Sequence, residues 1–189
     1  MPRKPTLDVL AQQSLEKCLS RLSRISTGEW RAALVASCPG RPRDVIERYA
    51  AGGEHAVCLS LSGIPVHSVM LVAPADVECV SRGFTGHSFP RSGKTTKSEE
   101  IMLTELGNIL LNSLVNPLLN AVGKSAMPQL PEFVEGGPGA VEKFLSARLR
   151  PDEPCRLVSA AVSLRCEGLA SWTMHAFVPE ELAARIERP

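Results

Sequence analysis

Glu105 and Asn108 stand three residues apart, and Pro131 follows Asn108 after twenty-two intervening residues. The pair lies in Glu99-Glu100-Ile101-Met102-Leu103-Thr104-Glu105-Leu106-Gly107-Asn108-Ile109-Leu110-Leu111-Asn112. On a helix, residues three apart share one face. A carboxylate beside a carboxamide on an otherwise apolar helix is where chemistry would sit. Asn112, one turn beyond Asn108, extends the same polar face or is an ordinary surface asparagine.

Other chemistry-bearing residues do not converge. Cys18, Cys38, Cys58, Cys79, Cys155 and Cys166 are scattered, with no Cys-x-x-Cys pair and no histidine at zinc spacing. They read as reduced thiols of a cytoplasmic protein, packed as small apolar groups. No metal site held by the chain is expected. His55, His67, His87 and His175 are far apart, with no carboxylate at catalytic spacing. Gly86-His87-Ser88-Phe89-Pro90-Arg91-Ser92-Gly93-Lys94-Thr95 ends like a phosphate-binding loop, but the first glycine of that motif falls on Ser88 and no strand runs into it. It reads as a basic loop. Arg21 and Arg24, three apart on the first helix, could meet a phosphate or an acidic partner; a solvated helix face is the default.

A chain of 189 residues reads as one domain, 1–189, able to build its core without disulfides. Net charge is +1 and aromatics make up 4%, which argues against nucleic acid as a partner. Met1-Pro2-Arg3-Lys4-Pro5 is not followed by an apolar segment of the signal-peptide kind. The most apolar run, Ile109 to Val122, is broken by Asn112, Asn116, Pro117 and Asn120, so no membrane insertion is expected.

The elements that must position the pair follow from periodicity. Leu7, Leu10, Leu15, Leu19, Leu22 and Ile25 predict an amphipathic helix over Leu7 to Ser26, ended by Gly28. Ala56 to Ser62 and Val66 to Val72 predict a hairpin joined at Gly63-Ile64-Pro65, with a short helix from Ala75 to Val80. Arg82 to Ser98 reads as a loop. Ser98 is placed to cap the helix that carries Glu105, which should run to about Ala121 and bend or end at Pro117. A break at Gly136-Gly137-Pro138-Gly139, a helix near Ala140 to Leu149, strands Arg156 to Arg165 and Leu169 to Val178, and a last helix after Pro179 complete the chain. Two strand blocks repeat: Gly63 to Pro74 parallels Gly168 to Pro179 at an offset of 105 residues. Approximate repeats 7–81 and 98–187 then predict an α+β fold with pseudo-twofold duplicated helix-plus-hairpin halves, two long helices packed on an antiparallel sheet of about six strands.

With Glu105, Asn108 and Pro131 at this spacing, the chain resembles the CheC/CheX/FliY phosphatases of bacterial chemotaxis. Their motif is Asp or Ser, three residues, Glu, two residues, Asn, twenty-two residues, Pro. Glu105-Leu106-Gly107-Asn108-Ile109-Leu110 is similar to the family's usual Glu-Ile-Gly-Asn-Ile-Leu run. The resemblance extends from about Leu7 to Glu187. It departs at Ile101, which occupies the Asp/Ser position and has no hydrogen-bonding side chain. It departs again on the first helix, where Arg21 and Arg24 fall where CheC carries a second Glu/Asn pair, leaving one active face.

The resemblance implies hydrolysis of the aspartyl phosphate on a CheY-like receiver domain of a chemosensory pathway. The receiver would supply the phosphoaspartate, a Mg²⁺ and a lysine, so this chain needs no cofactor. Asn108 would orient the attacking water and Glu105 would bind the receiver's lysine. Because phosphoryl transfer to water is mostly positioning and electrostatics, an amide can suffice. Ile101 and Asn112 would be partner contacts, and a homodimer and a chemotaxis deamidase are further candidate partners. A non-catalytic receiver-binding adaptor is the alternative. A structural part of the flagellar switch ranks last, since the additional C-terminal domain of FliY-type relatives is not seen.

Overall fold

The computed structural model describes residues 6–53, 56–63, 65–89, 94–124 and 130–187. Helix α1 spans Leu7–Ile25 and buries Leu7, Ala11, Leu15, Leu19 and Leu22, the stripe set by helical periodicity. Then come β1 (Glu29–Gly40), α2 (Pro42–Gly52), β2 (Ala56–Gly63) and β3 (Val66–Val72). A single 3-10 turn, Pro74–Asp76, leads into α3 (Val77–Thr85). The second half repeats this order: α4 (Lys97–Asn120), β4 (Glu132–Gly136), α5 (Pro138–Ser146), β5 (Cys155–Arg165), β6 (Leu169–Pro179) and α6 (Glu180–Glu187).

The six strands form one antiparallel sheet in the order β1-β5-β6-β3-β2-β4. Exchanging each strand with its counterpart in the other half reverses that order into itself. The pseudo-twofold axis therefore passes between β3 and β6, which pair from His67↔Phe177 to Leu71↔Thr173. The expected duplication, sheet and pair of long helices are all present.

The sheet is covered on both sides. Helices α1 and α4 share the larger core with Leu59, Met70, Val72, Val158, Trp172 and Met174. On the other face, Val45 and Ile46 of α2 and Val141 and Leu145 of α5 pack on Cys58, Val69, Leu157 and Phe177. Burial on both faces explains why β2, β3, β5 and β6 read as near-continuous apolar runs. It also exposes what periodicity left out. Helix α2 has only Val45 and Ile46 as buried aliphatics, too few to show a stripe. Edge strand β1 has an irregular exposure pattern and a register shift between Ala32 and Leu34. Edge strand β4 is five residues long and mostly half-buried.

Two local expectations change. The cap of α4 is Thr96 rather than Ser98. Thr96 has an acid three residues on, Glu99, and both halves of a capping box form; Ser98 has Ile101 there instead. The loop expected from Arg82 begins at Gly86, because α3 continues through Thr85. Of the two outcomes open at Pro117, the helix does not end there: α4 runs to Asn120, beside the Ala121 expected. Proline removes the hydrogen bond to the Ser113 carbonyl, and both residues sit on half-exposed surface where water can serve that oxygen. Ile64, His55 and the segment 90–93 of the basic loop lie outside the described residues.

Candidate functional site

Helix α4 holds the pair through its buried face. Leu103, Leu106, Leu110, Leu111, Leu114, Leu118 and Leu119 are fully buried. Gly107 lies against the sheet: a Cβ there would sit 3.0 Å from Leu59 Cδ2 and 3.6 Å from Met70 Cε. At the N-terminus, the Thr96 N–H and hydroxyl both donate to Glu99 Oε2, at 2.7 and 2.9 Å, fixing the first turn.

With 106, 107, 110 and 111 inward, the opposite stripe faces out. Glu105 is exposed, and Ile101 and Ile109 flank it one turn away on either side at 56% and 38% exposure. Asn108 and Asn112 are half-buried beside them. From Ile101 to Asn120, Glu105 is the sole charged residue. A solvated helix face ordinarily carries several charges; this one carries a single carboxylate between exposed apolar side chains.

The two asparagines are joined. Asn112 Nδ2 donates to the Asn108 carbonyl at 2.8 Å and to Asn108 Oδ1 at 2.7 Å. Its amide therefore clamps the Asn108 side chain and leaves Asn108 Nδ2 turned away from the contact. Among the described residues, neither Glu105 nor Asn108 Nδ2 has a hydrogen-bond or ion-pair partner, so both are free for a group outside the chain. The four-residue spacing puts Asn112 within reach of Asn108, but the contact itself is seen only in the structure. Pro131, the last member of the spacing motif, is buried immediately before β4, the edge strand against β2.

The remaining candidates separate. Arg21 and Arg24 are exposed on α1, which contains no asparagine, so the Glu-x-x-Asn pair occurs on one long helix only. All six cysteines are free. Burial pushes the Cys58 thiol up to about 12 and the Cys155 thiol up to about 11, which makes both inert at neutral pH. His175 is buried in the sheet, 2.9 Å from Ser159 Oγ, and burial lowers it to about 4, with Arg48 adding to the shift. Burial also lowers His67. His87 is exposed at the end of α3. Trp30 packs edge-on against Trp172 at 5.9 Å, inside the core. Among the described residues, no group of three or more His, Cys, Asp or Glu could hold a metal ion, and no helix is long and apolar enough to cross a membrane.

No family profile matches the chain, and no curated protein matches it. Solved structures do. FliY of Thermotoga maritima superposes with a TM-score of 0.64 at 12% identity, over 95% of this chain and 91% of that one. FliM of H. pylori, in a complex with FliG, gives 0.62 at 14% identity over 94% of both chains. The chemotaxis protein CheX of Vibrio vulnificus gives 0.51 at 11% identity, over 90% of this chain and 97% of that one. A CheC-like protein of Shewanella oneidensis gives 0.51 at 12% identity. The chain has the α+β fold of the CheC, CheX and FliY proteins, a fold it also shares with the middle domain of FliM.

Proposed function

We propose that this chain is a phosphatase acting on the aspartyl phosphate of a CheY-like receiver domain. The observation that carries the reading is the outer face of α4, where the free carboxylate of Glu105 and the clamped carboxamide of Asn108 are the polar groups between two exposed isoleucines. Glu105 pairs with a receiver lysine and fixes the docked geometry. Asn108 reaches the phosphoryl group and holds the attacking water in line. The Mg²⁺ that offsets charge on the phosphoryl oxygens belongs to the receiver. Aligning the water so that the barrier falls by about 3 kcal/mol would accelerate hydrolysis by roughly a hundredfold. No covalent intermediate on this chain is needed, in keeping with the buried, unreactive Cys58 and Cys155.

One observation favours a second reading, a receiver-binding adaptor without turnover. Ile101 is exposed where the motif has Asp or Ser, so it offers apolar contact and no hydrogen bond. Structural neighbours include FliM proteins solved in complexes with FliG and with SpeE. Phosphate release separates the two readings. A substoichiometric amount of the chain, mixed with phosphorylated receivers and Mg²⁺, should release many equivalents of phosphate per molecule. Tight binding without excess release would instead establish the adaptor.

A further inference from the structure

We infer that Arg21 and Arg24 of α1, together with Ile25, extend the outer face of α4 into a two-helix docking surface for an acidic, phosphorylated protein domain. This deepens the reading above and rests on it: the helix that lacks the Glu/Asn pair supplies the cations that hold the partner.

The fold brings these residues together. Helices α1 and α4 lie on the same face of the sheet and are exchanged by a pseudo-twofold axis perpendicular to it, so they run antiparallel. Cys18 on α1 lies beside Ser113 on α4, which sets their register. Advancing along α1 from that contact retreats along α4. Arg21 comes level with residues 109–110, and Arg24 and Ile25 come level with 105–107. Packed helices lie about 8–10 Å apart, and one side of a standard interface covers roughly 800 Å². A partner seated on Glu105 and Asn108 therefore also covers the C-terminal half of α1.

Charge and exposure identify the occupant. Among the described residues, neither Arg21 nor Arg24 meets a carboxylate. Arg24 Nε donates to the Ser20 carbonyl at 3.3 Å, and the nearby acid Glu16 accepts instead from Gln12 at 3.0 Å. Ile25 is 79% exposed, more than any other large apolar side chain described, on the helix that packs beside the one carrying exposed Ile101 and Ile109. The surface is thus apolar at its centre, with a negative group on α4 and two positive groups on α1. A receiver that presents a lysine to Glu105, and acidic surface flanking its phosphorylation site to the arginines, is its complement. The pairing of signs across the two helices fixes which way round the partner docks.

The test titrates the full chain with receivers carrying beryllofluoride as a stable phosphoryl mimic, at low and high salt, and measures turnover with phosphorylated receiver. The Arg21→Glu/Arg24→Glu double variant, verified as folded by circular dichroism, should bind about tenfold more weakly and lose most of its salt dependence, while turnover at saturating receiver persists. Arg21→Lys/Arg24→Lys should recover most of the affinity. Asn108→Ala should do the opposite, binding normally without turnover. If the charge-reversed variant binds like the parent with the same salt dependence, the inference is overturned, and loss of turnover in Asn108→Ala leaves the phosphatase reading standing. Absence of binding by the parent to every receiver overturns both.

Discussion

At Asn108 the decisive feature is the pair of hydrogen bonds from Asn112. A free asparagine side chain samples several rotamers and both amide orientations. Asn112 selects one before any partner arrives, so the ordering cost is met in folding rather than at docking. Asn112→Ala should therefore lower kcat about tenfold with KM nearly unchanged, measured by steady-state phosphate release. Equal loss in both variants' kcat, Asn112→Ala and Asn108→Ala, would give Asn112 a direct role in the chemistry. That Glu105 and Asn108 share one outward helix face was legible from their spacing. The clamp was not, because spacing places Asn112 one turn away without saying whether its amide turns inward or toward solvent. His175 shows the same limit: nothing adjacent in sequence marks it, yet pairing of β5 with β6 sets it against Ser159. Its lowered pKa makes stability depend on pH. The unfolded chain binds a proton near 6.5 and the folded chain near about 4. Stability from the neutral imidazole is present above 6.5 and falls as pH drops through that window. The slope is about 1.4 kcal/mol per pH unit. Urea denaturation at pH 7 and pH 5 should show this loss, and His175→Gln should reduce it.

At the scale of elements, α4 is held by packing more than by its cap. Each fully buried leucine contributes about 1.5–3 kcal/mol, and seven of them lie on this helix. The Thr96–Glu99 capping box contributes about 0.5–2 kcal/mol. Thr96→Ala should accordingly lower stability by about 1 kcal/mol without dislodging Asn108. Gly107 is a sharper probe of the fit between α4 and the sheet. Alanine there gains about 1 kcal/mol of helix propensity and presses its Cβ on the mobile end of Leu59. The two effects should nearly cancel. Gly107→Leu has no such room and should cost about 2 kcal/mol or more, lifting the helix and reducing activity. Denaturant midpoints for the three variants check this ordering. Long, strongly apolar elements such as α4 were readable in advance, and so was the hairpin β2-β3. Helix α2 and strands β1 and β4 were not, because each buries only a few side chains. Their places are set by β5 and β2, the neighbours they pair with or pack against, which lie elsewhere in the sequence.

For the molecule as a whole, the duplicated order of helix, strand, helix and hairpin gives two long helices with different surfaces. Helix α4 carries Glu105 and Asn108, and α1 carries Arg21 and Arg24. The repeat was visible through Gly63, Pro74, Gly168 and Pro179, which mark turns and helix starts. The position of the pseudo-twofold axis required the pairing of β3 with β6. Likeness to FliY, FliM, CheX and CheC-like structures at 11–14% identity gives the fold. The proposed chemistry rests on α4. The most direct measurement follows the decay of a phosphorylated CheY-like receiver with Mg²⁺, alone and with substoichiometric parent chain or Asn108→Ala. A phosphatase carried by Asn108 requires decay accelerated roughly a hundredfold by the parent, and a return to the receiver's own rate with the variant. Equal acceleration by parent and variant, or none by either, would contradict it.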